Sequence, residues 1–145
     1  NGKIETLICR NPKNRQLMTV SEINGKKAIT NYKTLKVFFS RDIPKISLVE
    51  CELETGRTHQ IRVHMSHKGS PILGDQTYGK KIKKLRGVDQ EFEDILKSLK
   101  RQALHAHTLG FVHPKTNQDV FYASELPEDL NKLKNRLETL KNSTL

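Results

Sequence analysis

The spacing of apolar positions changes several times along this chain, and each change marks an element. Residues 4–8 are a short apolar-rich run that reads as a strand, and Asn11-Pro12-Lys13-Asn14 after it is a turn signal. Residues 15–20 form a weaker strand candidate, and Asn24-Gly25 is the dipeptide most typical of a hairpin turn. Alternation is clearest over residues 33–39, where Leu35, Val37 and Phe39 fall on one face. Residues 47–53 alternate again. The pattern predicts two antiparallel strands, 30–39 and 46–54, joined across Arg41-Asp42-Ile43-Pro44.

Beyond residue 54 the period lengthens. Thr55 or Thr58 is placed to cap a helix over residues 57–68, which Gly69 would end. In it Ile61 and Met65 are expected toward the core, while Thr58 and Arg62 share one face and Gln60 and His64 another. Residues 70–79 hold Pro71, Gly74, Asp75 and Gly79 and read as a loop, and residues 80–86 read as an exposed, mobile basic loop. Residues 91–101 suit an amphipathic helix with Phe92, Ile95, Leu96 and Leu99 on one side. Residues 103–112 and 120–123 read as a hairpin across the turn 113–117. A last helix begins near Pro127, with Leu130, Leu133, Leu137 and Leu140 as its stripe. Strands in antiparallel pairs with interspersed helices make the expected class α+β, a mostly antiparallel mixed sheet with flanking helices.

Composition narrows what such a domain does. Its 145 residues suit one domain, 34% hydrophobic, with no tryptophan. No run approaches the length a membrane-spanning helix requires. Asn1-Gly2-Lys3-Ile4-Glu5 has neither an initiating methionine nor the apolar stretch of a signal peptide, and reads as the interior of a longer protein. Cys9 and Cys51 are too few and too far apart for a disulfide framework. Both are expected as buried free thiols in a reducing, cytoplasmic setting. The net charge is +10, and it is uneven: residues 1–49 hold 10 lysines and arginines against 3 acidic residues, whereas residues 91–145 hold eight of each. That asymmetry suggests a polyanionic partner, of which nucleic acid is the commonest.

The candidate chemistry is concentrated in Thr55-Gly56-Arg57-Thr58-His59-Gln60-Ile61-Arg62-Val63-His64, where a strand ends and a helix is expected to start. Free N–H groups and the positive end of the helix dipole add to the arginines there, so the segment suits a phosphate or a carboxylate. The six histidines lack zinc-site spacing, and hydrogen-bonded or core roles fit them better than a metal cage. Asp75, in a turn, is expected to bond its local backbone. Residue types alone thus reach a basic α+β domain that binds nucleic acid, with no reaction specified.

The segment from Glu54 to His64, followed by Gly69-Ser70-Pro71-Ile72-Leu73-Gly74-Asp75 and Tyr78-Gly79, strongly resembles the third motif region of RluA-type RNA pseudouridine synthases. Arg101-Gln102-Ala103-Leu104-His105-Ala106 with Phe111-Val112-His113-Pro114 resembles that family's closing strand segment. Residues 10–20 and 28–32 fit its pattern too. The resemblance spans residues 3–124 and implies isomerisation of uridine to pseudouridine in RNA, most often large-subunit (23S) ribosomal RNA, without metal or organic cofactor. It implies that Arg62 supports a catalytic aspartate, and that Arg57, Thr58, His59 and Gln60 are RNA-positioning groups. The family's aspartate lies in a His-Arg-Leu-Asp segment and its tyrosine in a Lys-x-Tyr-x-Ala stretch, and neither occurs here. Residues 1–145 are therefore expected to be the C-terminal portion of a catalytic domain, inactive alone. Tritium release from labelled uridine-RNA by the isolated chain would contradict this. Two other readings stay open on the residues: a stand-alone basic RNA-binding module without catalysis, and a His-rich metal hydrolase.

Overall fold

A computed structural model describes residues 1–41, 43–79 and 88–142; the basic loop expected at residues 80–86 lies outside the described residues. Among the described residues nine elements follow in the order β1 Gly2–Arg10, β2 Met18–Ser21, β3 Lys26–Ser40, β4 Ile43–Leu53, α1 Gln60–His67, α2 Gln90–Leu99, β5 Thr108–Val112, β6 Asp119–Ala123 and α3 Glu128–Asn142. The α+β class holds. The first four strands form one sheet in the order β2-β1-β3-β4, and β5 and β6 form a separate ribbon; every pairing is antiparallel.

The Asn24-Gly25 turn does not join hydrogen-bonded neighbours. β2 and β3 pair with opposite edges of β1, Val20 facing Ile8 from one side and Lys26 facing Ile8 from the other. Residues 22–25 therefore cross over β1. Gly25 makes the crossing with φ 128°, and a Cβ there would lie 2.7 Å from the Ile8 carbonyl oxygen. The glycine serves a close backbone approach rather than a tight hairpin.

β3 pairs with β4 from Thr30 to Ser40, with register shifts between Thr34 and Lys36 and between Phe38 and Ser40. Cross-strand partners share a face. Thr34 faces Val49 while Lys36 faces Leu48, and Val49 and Leu48 are successive residues pointing to opposite sides. The even positions of β3 thus change faces at Leu35, as a bulge dictates. The core at this end of β3 is built from Phe38 rather than from the alternating residues Leu35 and Phe39. Leu35 is 51% and Phe39 69% exposed, whereas Phe38 is 1% exposed and in the core.

One strand in this way serves two apolar clusters. Ala28 packs with Ile8 and Val63 of α1, with Met18, Val20 and Tyr78 alongside. Phe38 packs with Ile43, Ile46, Phe92, Leu99 and the α3 leucines Leu130, Leu133, Leu137 and Leu140. The leucine stripe of α3 and the Phe92 and Leu99 side of α2 are buried as their spacing predicts. Asp89 caps α2 by accepting from the Phe92 N–H, and its carboxylate also pairs with Arg136 of α3, clamping the two helices. Cys9 and Cys51 are free but only half-buried, a correction to full burial. Burial, then the charge of Glu50, pushes the Cys51 thiol up. Among the described residues no helix is long and apolar enough to cross a membrane.

Candidate active site

The expected helix begins later than its residue pattern suggests. α1 starts at Gln60, and His59 occupies the cap position in the left-handed region, φ 55°, without a side-chain cap bond. Neither Thr55 nor Thr58 caps it. Instead Gln60 turns inward, 3% exposed, and ties the approach to the helix onto β3. Its Nε2 donates to the Ile29 carbonyl at 2.9 Å and to Thr30 Oγ1 at 3.0 Å. Its Oε1 accepts from the Arg57 N–H at 2.9 Å and from Thr55 Oγ1 at 2.8 Å. Thr55 Oγ1 in turn accepts the Ile29 N–H. All four hydrogen-bonding positions of the amide are used inside the protein. The expected RNA-positioning role of Gln60 gives way to a structural one.

His64 extends the network. It is 0% exposed, with Nδ1 2.8 Å from Thr30 Oγ1 and Nε2 2.9 Å from Thr6 Oγ1. The Thr30 hydroxyl also accepts from Gln60, and its own hydrogen is assigned to His64 Nδ1, with Nε2–H assigned as donor to Thr6. Burial, and then His67, pushes the His64 pKa down, which keeps the ring neutral. The inward face of α1 is therefore Gln60, Val63 and His64 rather than Ile61 and Met65, which are half-buried. His64 is the satisfied interior histidine that its spacing favoured over a metal ligand.

The other side of α1 carries Arg62. Its Nε donates to Asp75 Oδ2 at 2.8 Å and its Nη2 to Asp75 Oδ1 at 2.9 Å, a two-point fork. The Asp75 side chain is 1% exposed and that of Arg62 13%. Asp75 Oδ1 also accepts the N–H groups of Thr77 and Tyr78, both at 2.9 Å. The local backbone bonding expected of Asp75 is present, and the ion pair is added to it. Gly74 delivers the aspartate at φ 72°, where a Cβ would lie 2.3 Å from the Arg101 carbonyl oxygen.

Tyr78 closes the arrangement. The Arg62 guanidinium carbon sits 4.9 Å from its ring centroid, a cation–π contact. Its hydroxyl accepts the Met18 N–H at 2.9 Å and lies 2.8 Å from His59 Nδ1, to which its hydrogen is assigned. β2, the α1 start and the 70–79 loop thus meet at one cluster. Burial, then the charge of Arg62, holds the His59 pKa down, with Asp75 opposing and Arg10 adding to the depression. Arg57 is anchored through Nε to the Lys27 carbonyl, and Thr58 is exposed. The structure therefore gathers Arg62 and His59, sets Arg57 and Thr58 at the rim, and adds Asp75 and Tyr78. Sequence spacing cannot pair Asp75 with Arg62, since the loop geometry that joins them has no period.

The electrostatics of this pair have a measurable consequence. Burial by itself raises the Asp75 pKa, but the Arg62 fork and the two backbone N–H groups outweigh it and hold the carboxyl at about 2, against an ordinary 3.8. The folded-state value is depressed, so the stabilisation is complete above the unfolded value and is lost as pH falls from about 4 toward 2. The loss expected is on the order of 2 kcal/mol. Urea unfolding across this range should show it, and Asp75→Asn should flatten that part of the profile.

Residues 1–67 match the family described as RNA pseudouridylate synthase. The chain is 41% identical over 136 residues to the ribosomal large subunit pseudouridine synthase D of Xanthomonas campestris pv. campestris, an alignment covering 94% of this chain and 39% of that protein. It is 43% identical over 133 residues to the uncharacterized RNA pseudouridine synthase YlyB of Bacillus subtilis, covering 92% of this chain and 38% of that one. Among solved structures, human RNA pseudouridylate synthase domain containing 1 superposes with a TM-score of 0.66 at 25% identity, over 94% of this chain and 59% of that chain. The chain spans about two fifths of the length of these bacterial relatives. Sequence and fold agree with these proteins from the first strand into the last helix, and the Arg62 segment lies inside the region that matches the RNA pseudouridylate synthase family.

Proposed function

We propose that the protein carrying this chain is an RNA pseudouridine synthase that isomerises uridine to pseudouridine in large-subunit (23S) ribosomal RNA. The observation that carries the reading is Arg62, held rigidly at the start of α1 in a segment matching the family motif, with Arg57, His59 and Arg10 around it. A fixed guanidinium next to a reacting carboxylate favours its ionised form and sets its orientation. That carboxylate is the aspartate the family carries in its His-Arg-Leu-Asp segment. Arg57, Thr58 and His59 sit where an RNA strand would meet the rim of the site, and their cationic surroundings suit its phosphates. The bacterial relatives named as large-subunit enzymes support the choice of RNA.

Mapping pseudouridine in RNA from cells lacking the gene tests the proposal. Loss of modification at a site in large-subunit ribosomal RNA, restored by the wild-type gene, is the expected result. Loss confined to transfer RNA would overturn the substrate assignment, and an unchanged map would overturn the activity.

A further inference from the structure

The Arg62 guanidinium is held from one side only. Asp75 occupies Nε and Nη2, and among the described residues Nη1 has no hydrogen-bond partner. Every fully buried side-chain nitrogen and oxygen among those residues does have one. Nη1 is therefore not fully buried, and it is the unbonded corner of a group whose other edge is locked. Asp75 is itself locked, by the Thr77 and Tyr78 N–H groups, by near-complete burial, and by the Gly74 backbone packed against Arg101. The Tyr78 ring at the guanidinium carbon removes a further direction of movement.

We propose that Asp75 is a positioning residue for the isomerisation: its buried carboxylate grips the inner edge of Arg62 and aims the outer corner at a second anion, the reacting carboxylate. This rests on the functional reading above and deepens it. Asp75 does not touch the substrate; it acts through Arg62. An arginine without this grip would sample several rotamers, and displacement of a catalytic group by about 1 Å costs on the order of 100-fold in rate. The fork also explains why arginine stands here: two carboxylates need a cation with two separate faces, which an ammonium lacks.

The test uses the whole protein, unmodified large-subunit ribosomal RNA transcript, and single-turnover rates at saturating enzyme, which do not depend on the folded fraction. Asp75→Asn is expected to slow the wild-type enzyme roughly 100-fold while slowing the Arg62→Lys enzyme less than about threefold, since residues acting as a unit are non-additive. RNA affinity should stay within about threefold, because every bond the Asp75 carboxylate makes is to the protein itself. Equal slowing in both backgrounds, or none in the wild type, would overturn the proposal, as either marks a residue that does not act through Arg62. If Asp75→Asn does not fold, Asp75→Glu in the same two backgrounds is read by the same criterion. A wild-type protein that forms no pseudouridine would instead overturn the functional reading itself.

Discussion

Arg62→Lys in the whole protein is expected to slow pseudouridine formation by roughly two to three orders of magnitude, the cost usual for removing a preorganised charged donor from a reaction centre. Charge is kept by the change, so charge is not what is lost. Arginine meets Asp75 at two points, 2.8 and 2.9 Å, and has Nη1 left over. A lysine ammonium can approach Asp75 but cannot hold both its oxygens in one plane and still present a fixed donor elsewhere. It also lacks the planar face that lies on the Tyr78 ring. The fold should survive, since Asp75 retains a cation and two backbone N–H groups. Single-turnover conversion of an unmodified transcript is the measurement, and turnover within a few-fold of wild type would remove Arg62 from the reaction centre.

Gln60→Ala should produce the largest loss of stability among changes near the site. Truncation leaves the Arg57 N–H, the Thr55 hydroxyl and Thr30 Oγ1 without this partner, the first two half-buried and the third fully buried. The Ile29 carbonyl keeps the Glu54 N–H as a donor, so it suffers less. Each buried group left unsatisfied costs about 1–3 kcal/mol, and a network loses more as a whole than its pairs suggest. A loss of about 4 kcal/mol is expected, a large share of the roughly 5–15 kcal/mol typical of a domain. Urea unfolding of the chain measures it. A loss below about 1 kcal/mol would mean that water replaces the amide. Gln60→Glu should also destabilise, because a carboxylate cannot donate to the Ile29 carbonyl.

The two predictions divide the motif segment in a way its residue types do not. Arg62 and Gln60 are two positions apart on α1, and one faces the site while the other is a structural tie. Read as a sequence, both are polar residues at a helix start and both are candidates for RNA contact. Their fates separate because Gln60, Val63 and His64 form the stripe that meets β1 and β3. An apolar-inward rule selects Ile61 and Met65 instead. It fails here because the sheet offers hydroxyls and a carbonyl at that place, and a polar side chain that satisfies them loses nothing on burial.

Elements governed by local periodicity were legible from the chain alone. The leucine stripe of α3, the buried side of α2, the long β3–β4 pairing and the turn between β5 and β6 follow from spacings of about 3.6 and 2 residues and from turn chemistry. So was the segment holding Arg62, since its residue types and order carry the family pattern. What the tertiary structure alone decided is long-range and aperiodic. It put β1 between β2 and β3, so that an apparent hairpin turn became a crossover. It placed a bulge at Leu35 that exchanges the faces of β3 and sends Phe38 rather than its neighbours into the core. And it brought Asp75, on a loop, to Arg62 of α1, 13 positions earlier in the chain. Periodicity records which side of an element is apolar, but the partner met by a polar side chain depends on where several distant backbones come to rest together.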